Sequence, residues 1–165
     1  MPNTNNVSYI ANEKIYIYDR AKETNTALID VAFDKYLWDK TGRKILYGDY
    51  NKKIYIYDLT TKENKLILEG EDPVLSNNNE YIAYRANDGR LTIYEFKTKR
   101  EWKCEKLSGI YRYIFSPDDK YLATAYQWTD ISINPHFSIY VLDFKTGKKS
   151  KLLKGNGGIP GFDWK

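Results

Sequence analysis

Short apolar segments alternate with polar turns along the whole chain, and the alternation repeats. The segment IYIYD occupies residues 15–19 and recurs identically at 54–58, with looser copies LTIYE at 91–95 and IYVLD at 139–143. Isoleucine and tyrosine in alternation are typical of a β-strand, and a polar turn follows each copy. No segment keeps a 3.6-residue apolar period, so the pattern predicts an all-β protein with essentially no helix.

A second series of segments precedes three of these copies and has the form strand, turn, strand. Its members are WDKTGRKIL at 38–46, LSNNNEYIA at 75–83 and FSPDDKYLA at 115–123. Each combines an apolar strand end, a turn rich in Asn, Asp, Gly or Pro, and a second apolar strand. A further apolar stretch follows each IYIYD-type copy. Each repeat is therefore predicted to contain four short strands, A to D in chain order.

The third member of this series brings a resemblance to a known family. FSPDDKYLA resembles the F-S-P-D-G-K-x-I-A signature of TolB-type, WD40-like β-propeller repeats, and IYVLD resembles the I-Y-V-x-D strand of that family. Asp119 stands where the family has glycine, and the second turn, at 76–79, has neither proline nor glycine. The resemblance implies a β-propeller with a binding surface, and it implies no enzymatic activity.

The two ends of the chain are out of phase with the repeat. Residues 7–11 form a B-like strand with no A strand before it, and residues 159–164 form an A-like strand with nothing after it. We therefore predict one four-bladed propeller domain, 1–165, closed by pairing of the C-terminal strand with the N-terminal blade. Its repeats would cover roughly 31–69, 70–107, 108–154, and 155–165 joined to 1–30, within the blade numbers known for propellers.

Charge and composition narrow the possible functions. The net charge of +4 is mildly basic and has no nucleic-acid signature, so no nucleic-acid partner is expected. The chain has one Cys and one His, too few for a zinc site, and no G-x-S-x-G motif. We expect no enzyme activity, no metal and no cofactor. With no signal peptide and no apolar run of membrane-spanning length, we expect a cytoplasmic protein that does not bind membranes.

A run of lysines occupies the predicted last strand of the third repeat, at positions 145, 148, 149, 151 and 154. Lysine on an exposed edge strand prevents edge-to-edge aggregation, which is the favoured interpretation. A contact with phosphate or with an acidic protein is the alternative.

One departure from the repeat marks a candidate site. The third repeat, 108–154, is longer by about ten residues, and the extra residues, 127–136, form a predicted loop between strands B and C. In propellers the B–C and D–A loops emerge on one face. Trp128 would be either a binding anchor there, since Trp is a frequent hot-spot residue, or a plug of the channel mouth. The predicted partner-binding residues are Tyr50, Arg112, Tyr126, Gln127, Trp128, Asp130 and His136.

These features together predict a monomeric, non-enzymatic module whose partner is another protein. An immunity-type inhibitor of a protein toxin is one such role. The alternatives are a small-ligand or glycan-binding propeller, and a domain that normally pairs with further blades. Glycan binding would require a similar pocket in every repeat, and the four B–C segments differ.

Overall fold

The computed structural model describes residues 6–30, 36–106, 110–129, 134–159 and 161–164. All secondary-structure elements of these ranges are β-strands, which confirms the all-β prediction for the part of the chain described. In chain order the strands are β1 (Val7–Ala11), β2 (Lys14–Asp19), β3 (Thr24–Asp30), β4 (Tyr36–Trp38), β5 (Lys44–Gly48), β6 (Lys53–Asp58), β7 (Asn64–Leu75), β8 (Tyr81–Ala86), β9 (Arg90–Glu95), β10 (Glu101–Lys106), β11 (Ile110–Phe115), β12 (Tyr121–Thr129), β13 (Pro135–Asp143) and β14 (Lys149–Asn156).

The chain divides into two compact units, Met1–Pro73 and Val74–Lys165. In the first unit, β1, β2 and β3 are consecutive antiparallel neighbours, and so are β4, β5, β6 and β7. In the second unit, β8, β9 and β10 follow one another in the same way, and β11 to β14 form a four-stranded sheet. The last residues of β7, Val74 and Leu75, belong to the second unit and precede β8 as the predicted A strand.

The IYIYD copies supply central strands, which explains why apolar residues fall on both of their faces. β2 and β6 each lie between two neighbouring strands, and their first isoleucines, Ile15 and Ile54, are fully buried. Tyr55 of β6 stacks on Tyr47 of β5 with ring centroids 5.2 Å apart. The tyrosines of these strands therefore pack against neighbours, as alternating aromatic residues in a sheet commonly do.

The three A–B turns have the same construction although their sequences differ. A buried residue at the first position, Asp39, Ser76 or Ser116, donates its backbone N–H to the carbonyl five residues later, and its side-chain oxygen accepts the N–H of that residue. The fourth position has positive φ in every case: 68° at Gly42, 62° at Asn79 and 58° at Asp119. Asn and Asp are the non-glycine residues that tolerate this conformation best. Asp119 thus occupies the left-handed position that glycine has in the first turn.

The Asp119 side chain also connects two turns of the second unit. Its carboxylate accepts the backbone N–H groups of Asn77 and Asn78, each at 2.7 Å, and the side-chain amide of Asn77 at 2.9 Å. Hydrogen bonds to an ionised acceptor are stronger than those between neutral groups. This one residue therefore holds the A–B turns of the second and third repeats together.

The C-terminal segment differs from its prediction. Among its described residues, 159 and 161–164, no strand forms, so the predicted fourth strand of the N-terminal blade is absent there. Ile159 and Phe162 instead pack against Ala125, Phe137 and Ile139 of their own unit. The sequence explains the difference, because proline at 160 has no N–H for a strand ladder and glycines stand at 157, 158 and 161.

Candidate functional site

The described inserted residues of the third repeat lengthen a hairpin, where a loop is predicted for the whole insertion. β12 continues through residues 127–129, and β13 begins at Pro135, so that Trp128 pairs with His136 and Thr129 with Pro135. Both strands are nine residues long. The inserted residues Trp128 and Thr129 have high β-propensity, and pairing lets them extend the ladder. Residues 130–133, including Asp130, lie outside the described residues.

Trp128 lies near the end of β12, and its side chain is 41% exposed. Its ring stacks on the imidazole of His136, with centroids 5.6 Å apart and planes 22° from parallel. His136 in turn donates from Nδ1 to the Asn156 side-chain carbonyl at 2.9 Å. The indole is therefore held in position by its neighbours on β13 and β14 and remains partly accessible.

The end of β14 braces the hairpin at its base. The Gly157 N–H donates to the Pro135 carbonyl at 2.7 Å, so the β13–β14 pairing reaches the start of β13. Gly155 lies opposite Phe137, and a Cβ at this glycine would come within 2.7 Å of the Phe137 ring. A glycine is thus required where the Phe137 ring crosses β14.

The other candidates from β12 lie on its two faces. Tyr126 is buried and shares the face of Trp128, because successive side chains alternate along a strand. Its ring packs edge-on against Tyr140 at 5.2 Å. Gln127 is half-buried on the opposite face, where it pairs with Phe137.

Of the two remaining described candidates, Arg112 has a different contact and Tyr50 belongs to the other unit. Arg112 of β11 extends its guanidinium over the ring of Phe162, 5.3 Å from the centroid, and so contacts the C-terminal segment. Tyr50 is 67% exposed and lies in the turn between β5 and β6, in the first unit. The residues brought together are therefore Trp128, His136 and, on the same face, Tyr126.

Sequence reasoning missed the relation between the lysine run and these aromatic rings. The Lys149 Nζ lies 4.2 Å from the Tyr140 ring centroid and 5.1 Å from that of Tyr126. Lys151 lies 5.7 Å from Tyr140, and Lys154 lies 6.0 Å from Trp128. These separations are in the range of cation–π attraction. The available signal was the spacing of 149 and 151 on an edge strand, which places both side chains on one face.

The pKa values of two titratable groups are shifted by their surroundings in the fold. Burial raises the pKa of the Cys104 thiol to about 11, despite the opposing effect of the Lys149 charge, so this thiol stays protonated at neutral pH. Burial alone would raise the pKa of the Asp39 carboxyl, but hydrogen bonds from Thr41, Arg43 and Lys44 outweigh it and lower the pKa. No cluster of three or more His, Cys, Asp or Glu with metal-binding geometry occurs in the described ranges. Those ranges also contain no helix long and apolar enough to span a bilayer.

Comparison with known proteins places the chain among β-propellers. The family model described as "Eukaryotic translation initiation factor eIF2A", a WD40-like propeller family, matches residues 2–152. Among solved structures, the chain is similar to the tricorn protease, with a TM-score of 0.61, 17% identity, and coverage of 84% of this chain and 16% of that one. It is also similar to oligogalacturonate lyase from Vibrio parahaemolyticus, with a TM-score of 0.62, 16% identity, and coverage of 91% and 47%.

These matches show the fold of the chain and no more. No curated protein sequence matches the chain. The chain spans about half of the lyase chain and about a sixth of the tricorn chain, and at these identities the likeness shows the fold alone. The WD40-like propeller repeat expected from FSPDDKYLA is confirmed, but the matching family is not TolB.

Proposed function

We propose, from the premise that the chain belongs to the eIF2A family of WD40-like propeller proteins, that it is a non-enzymatic module that binds another protein. The observation that carries the proposal is the extended β12–β13 hairpin with Trp128 stacked on His136. An exposed indole whose orientation is already fixed loses little conformational entropy when a partner covers it. Tryptophan is also among the residues that most often dominate binding energy in protein interfaces.

The proposed partner is a protein component of translation. The description of the family as a translation initiation factor favours such a partner over a toxin, and a cytoplasmic location goes with it. Toxin inhibition and small-ligand or glycan binding remain predictions from the sequence. The candidate contact residues are Trp128 and His136, with the buried Tyr126 supporting them on the same face. Gln127, on the opposite face, and Arg112, over Phe162, remain candidates from the sequence only.

Closure of four repeats within one chain is a separate proposal, and it includes a monomeric state. The competing arrangement is a larger propeller with blades from a second copy, suggested by the part-length match to the lyase. Light scattering distinguishes the two. A mass of 19.4 kDa that does not change with concentration supports closure, and a stable dimer supports shared blades.

The binding proposal is tested with two matched substitutions on one strand. Trp128 and Tyr121 are both exposed aromatic residues of β12, at 41% and 39%. An affinity pull-down with the natural chain identifies the partner, and titration then compares Trp128→Ala with Tyr121→Ala. Loss of a hot-spot tryptophan should weaken binding by about thirtyfold or more, with Tyr121→Ala within about threefold of the natural chain. Equal affinities with unchanged thermal melts would contradict the proposed site.

A further inference from the structure

We infer that one face of the β12–β14 sheet binds an acidic, extended segment of the partner protein. This lysine face consists of Lys149, Lys151 and Lys154 above the rings of Trp128 and Tyr140. The inference rests on the proposed protein-binding function and specifies the chemistry of the partner.

Aromatic rings hold the three ammonium groups in place, but no carboxylate of the described residues neutralises them. Among the described residues none of them forms an ion pair, and β14, with the sequence KSKLLKGN, contains no acidic residue. The nearby carboxylate of Asp143 is already engaged, since it accepts the backbone N–H groups of Lys145 and Thr146 at 3.1 Å each. The face therefore presents concentrated positive charge that complements an anionic partner.

The aromatic rings under the lysines argue for a protein partner over a single-stranded nucleic acid. Nucleic-acid stacking platforms need open ring faces for the bases. Here Trp128 is stacked on His136 and has Lys154 nearby, while Tyr140 has two lysine nitrogens within 6 Å of its centroid. The rings thus position the cations, and the charge of the lysines is presented beside the partly exposed indole.

The position of β14 suggests an extended partner. β14 ends the strand order β11-β12-β13-β14, so its outer edge has no further strand among the described residues. Residues two apart on a strand are separated by about 7 Å and share a face, so carboxylates at alternate positions of an extended segment match Lys149 and Lys151. Leu152 and Leu153 are exposed beside them and provide apolar contacts for the residues between the carboxylates.

The test uses fluorescence anisotropy with a labelled twelve-residue peptide of alternating Glu and Val. A Gln–Val peptide and a twelve-nucleotide uridine RNA serve as competing ligands. The Glu–Val peptide should bind the natural chain at low salt, weaken as salt is raised, and bind at least tenfold more tightly than the Gln–Val peptide. Tighter binding of the RNA, or no preference for glutamate, would overturn the inference.

Two double substitutions distinguish binding at the lysine face from attraction to the overall positive charge of the protein. Lys151→Gln with Lys154→Gln should weaken peptide binding about tenfold, whereas Lys97→Gln with Lys103→Gln removes the same charge elsewhere in the unit and should have less than a twofold effect. Equal losses in both would overturn the inference. Thermal melts of both variants should match that of the natural chain, because all four side chains are exposed.

The same variants distinguish failure of this inference from failure of the proposed function. If the captured partner is lost with Trp128→Ala but retained by the Lys151→Gln, Lys154→Gln chain, the protein-binding site stands and the acidic-partner inference is wrong. If neither variant affects capture, the proposed site itself is wrong.

Discussion

The two ends of the repeats are built on different rules. At the A–B ends, three turns with different sequences share one hydrogen-bond pattern and one left-handed position. At the B–C ends, the hairpins diverge: β8 and β9 are joined by a tight turn in which Gly89 has φ of 80°, whereas β12 and β13 extend to nine residues each. The A–B ends therefore share one construction, whereas the B–C ends differ from repeat to repeat.

The largest expected effect is on stability, and it compares one residue at each end of β12. Leu122, next to the A–B turn, is fully buried, and Gln127, near the B–C end, is half-buried. Leu122→Ala should lower the free energy of unfolding by about 2–5 kcal/mol, because it removes buried apolar volume. Gln127→Ala should cost less than about 1 kcal/mol. Urea denaturation followed by tryptophan fluorescence measures both, and equal costs would show that the two ends contribute alike.

The next effect concerns the left-handed position of the A–B turns. Asp119→Gly relieves backbone strain worth about 1 kcal/mol but removes three hydrogen bonds to a carboxylate, so stability should fall by roughly 2–3 kcal/mol. Asn79→Gly is the matched control, because it relieves the same kind of strain without removing the connection between turns. It should be neutral or stabilising by a few tenths of a kcal/mol. A stabilising Asp119→Gly would mean that the connection contributes nothing.

A smaller effect sharpens the description of the B–C end. Gly155→Ala places a Cβ within 2.7 Å of the Phe137 ring and should cost about 1–3 kcal/mol through forced repacking. Gly158→Ala meets nothing within 4 Å and should change stability by less than about 0.5 kcal/mol. Thermal melts of the two variants make the comparison. A harmless Gly155→Ala would indicate that the hairpin base is loosely packed.

The smallest effect distinguishes the first A–B turn from the other two. Asp39 has a lowered pKa in the folded chain, so its contribution to stability is complete above the pKa of an unfolded Asp, near 3.9, and is lost as pH falls through the lower folded value. Asp39→Ser, which copies the turns at Ser76 and Ser116, should reduce the loss of melting temperature between pH 5 and pH 2.5. An unchanged acid profile would show that this carboxylate is not involved.

The sequence predicts the A–B ends well because their signals are local. Turn residues at fixed offsets, flanked by alternating apolar positions, place the A–B turns where the structure has them, between β4 and β5, β7 and β8, and β11 and β12. The residue types also identify Asp119 as an unusual occupant of a glycine position. Its contacts with Asn77 and Asn78 could not be predicted, since they join positions about 40 residues apart.

The B–C end and the C-terminus depend on long-range pairing, and there the prediction fails. Trp128 looks like a loop residue in a segment with Asp, Asn and Pro, and only its pairing with His136 makes it part of a strand. Residues 159–164 have a strand-like mixture of apolar and aromatic side chains, yet Phe162 packs on Ala125 and Phe137 without a ladder. The alternation of apolar and polar residues cannot show whether a buried side chain such as Phe162 belongs to a paired strand or to an unpaired segment.

The carboxylate of Asp119 has a further consequence for how the second unit opens. Repeat proteins are usually stabilised by each repeat and by its interface with the next, so each interface sets how far one local opening spreads. Here a single side chain contributes to that interface, and the amide protons of Asn77 and Asn78 bond to it directly. Hydrogen exchange at these two amides should therefore follow the opening of the third repeat as well as their own, so that damage to one turn is felt cooperatively in the other.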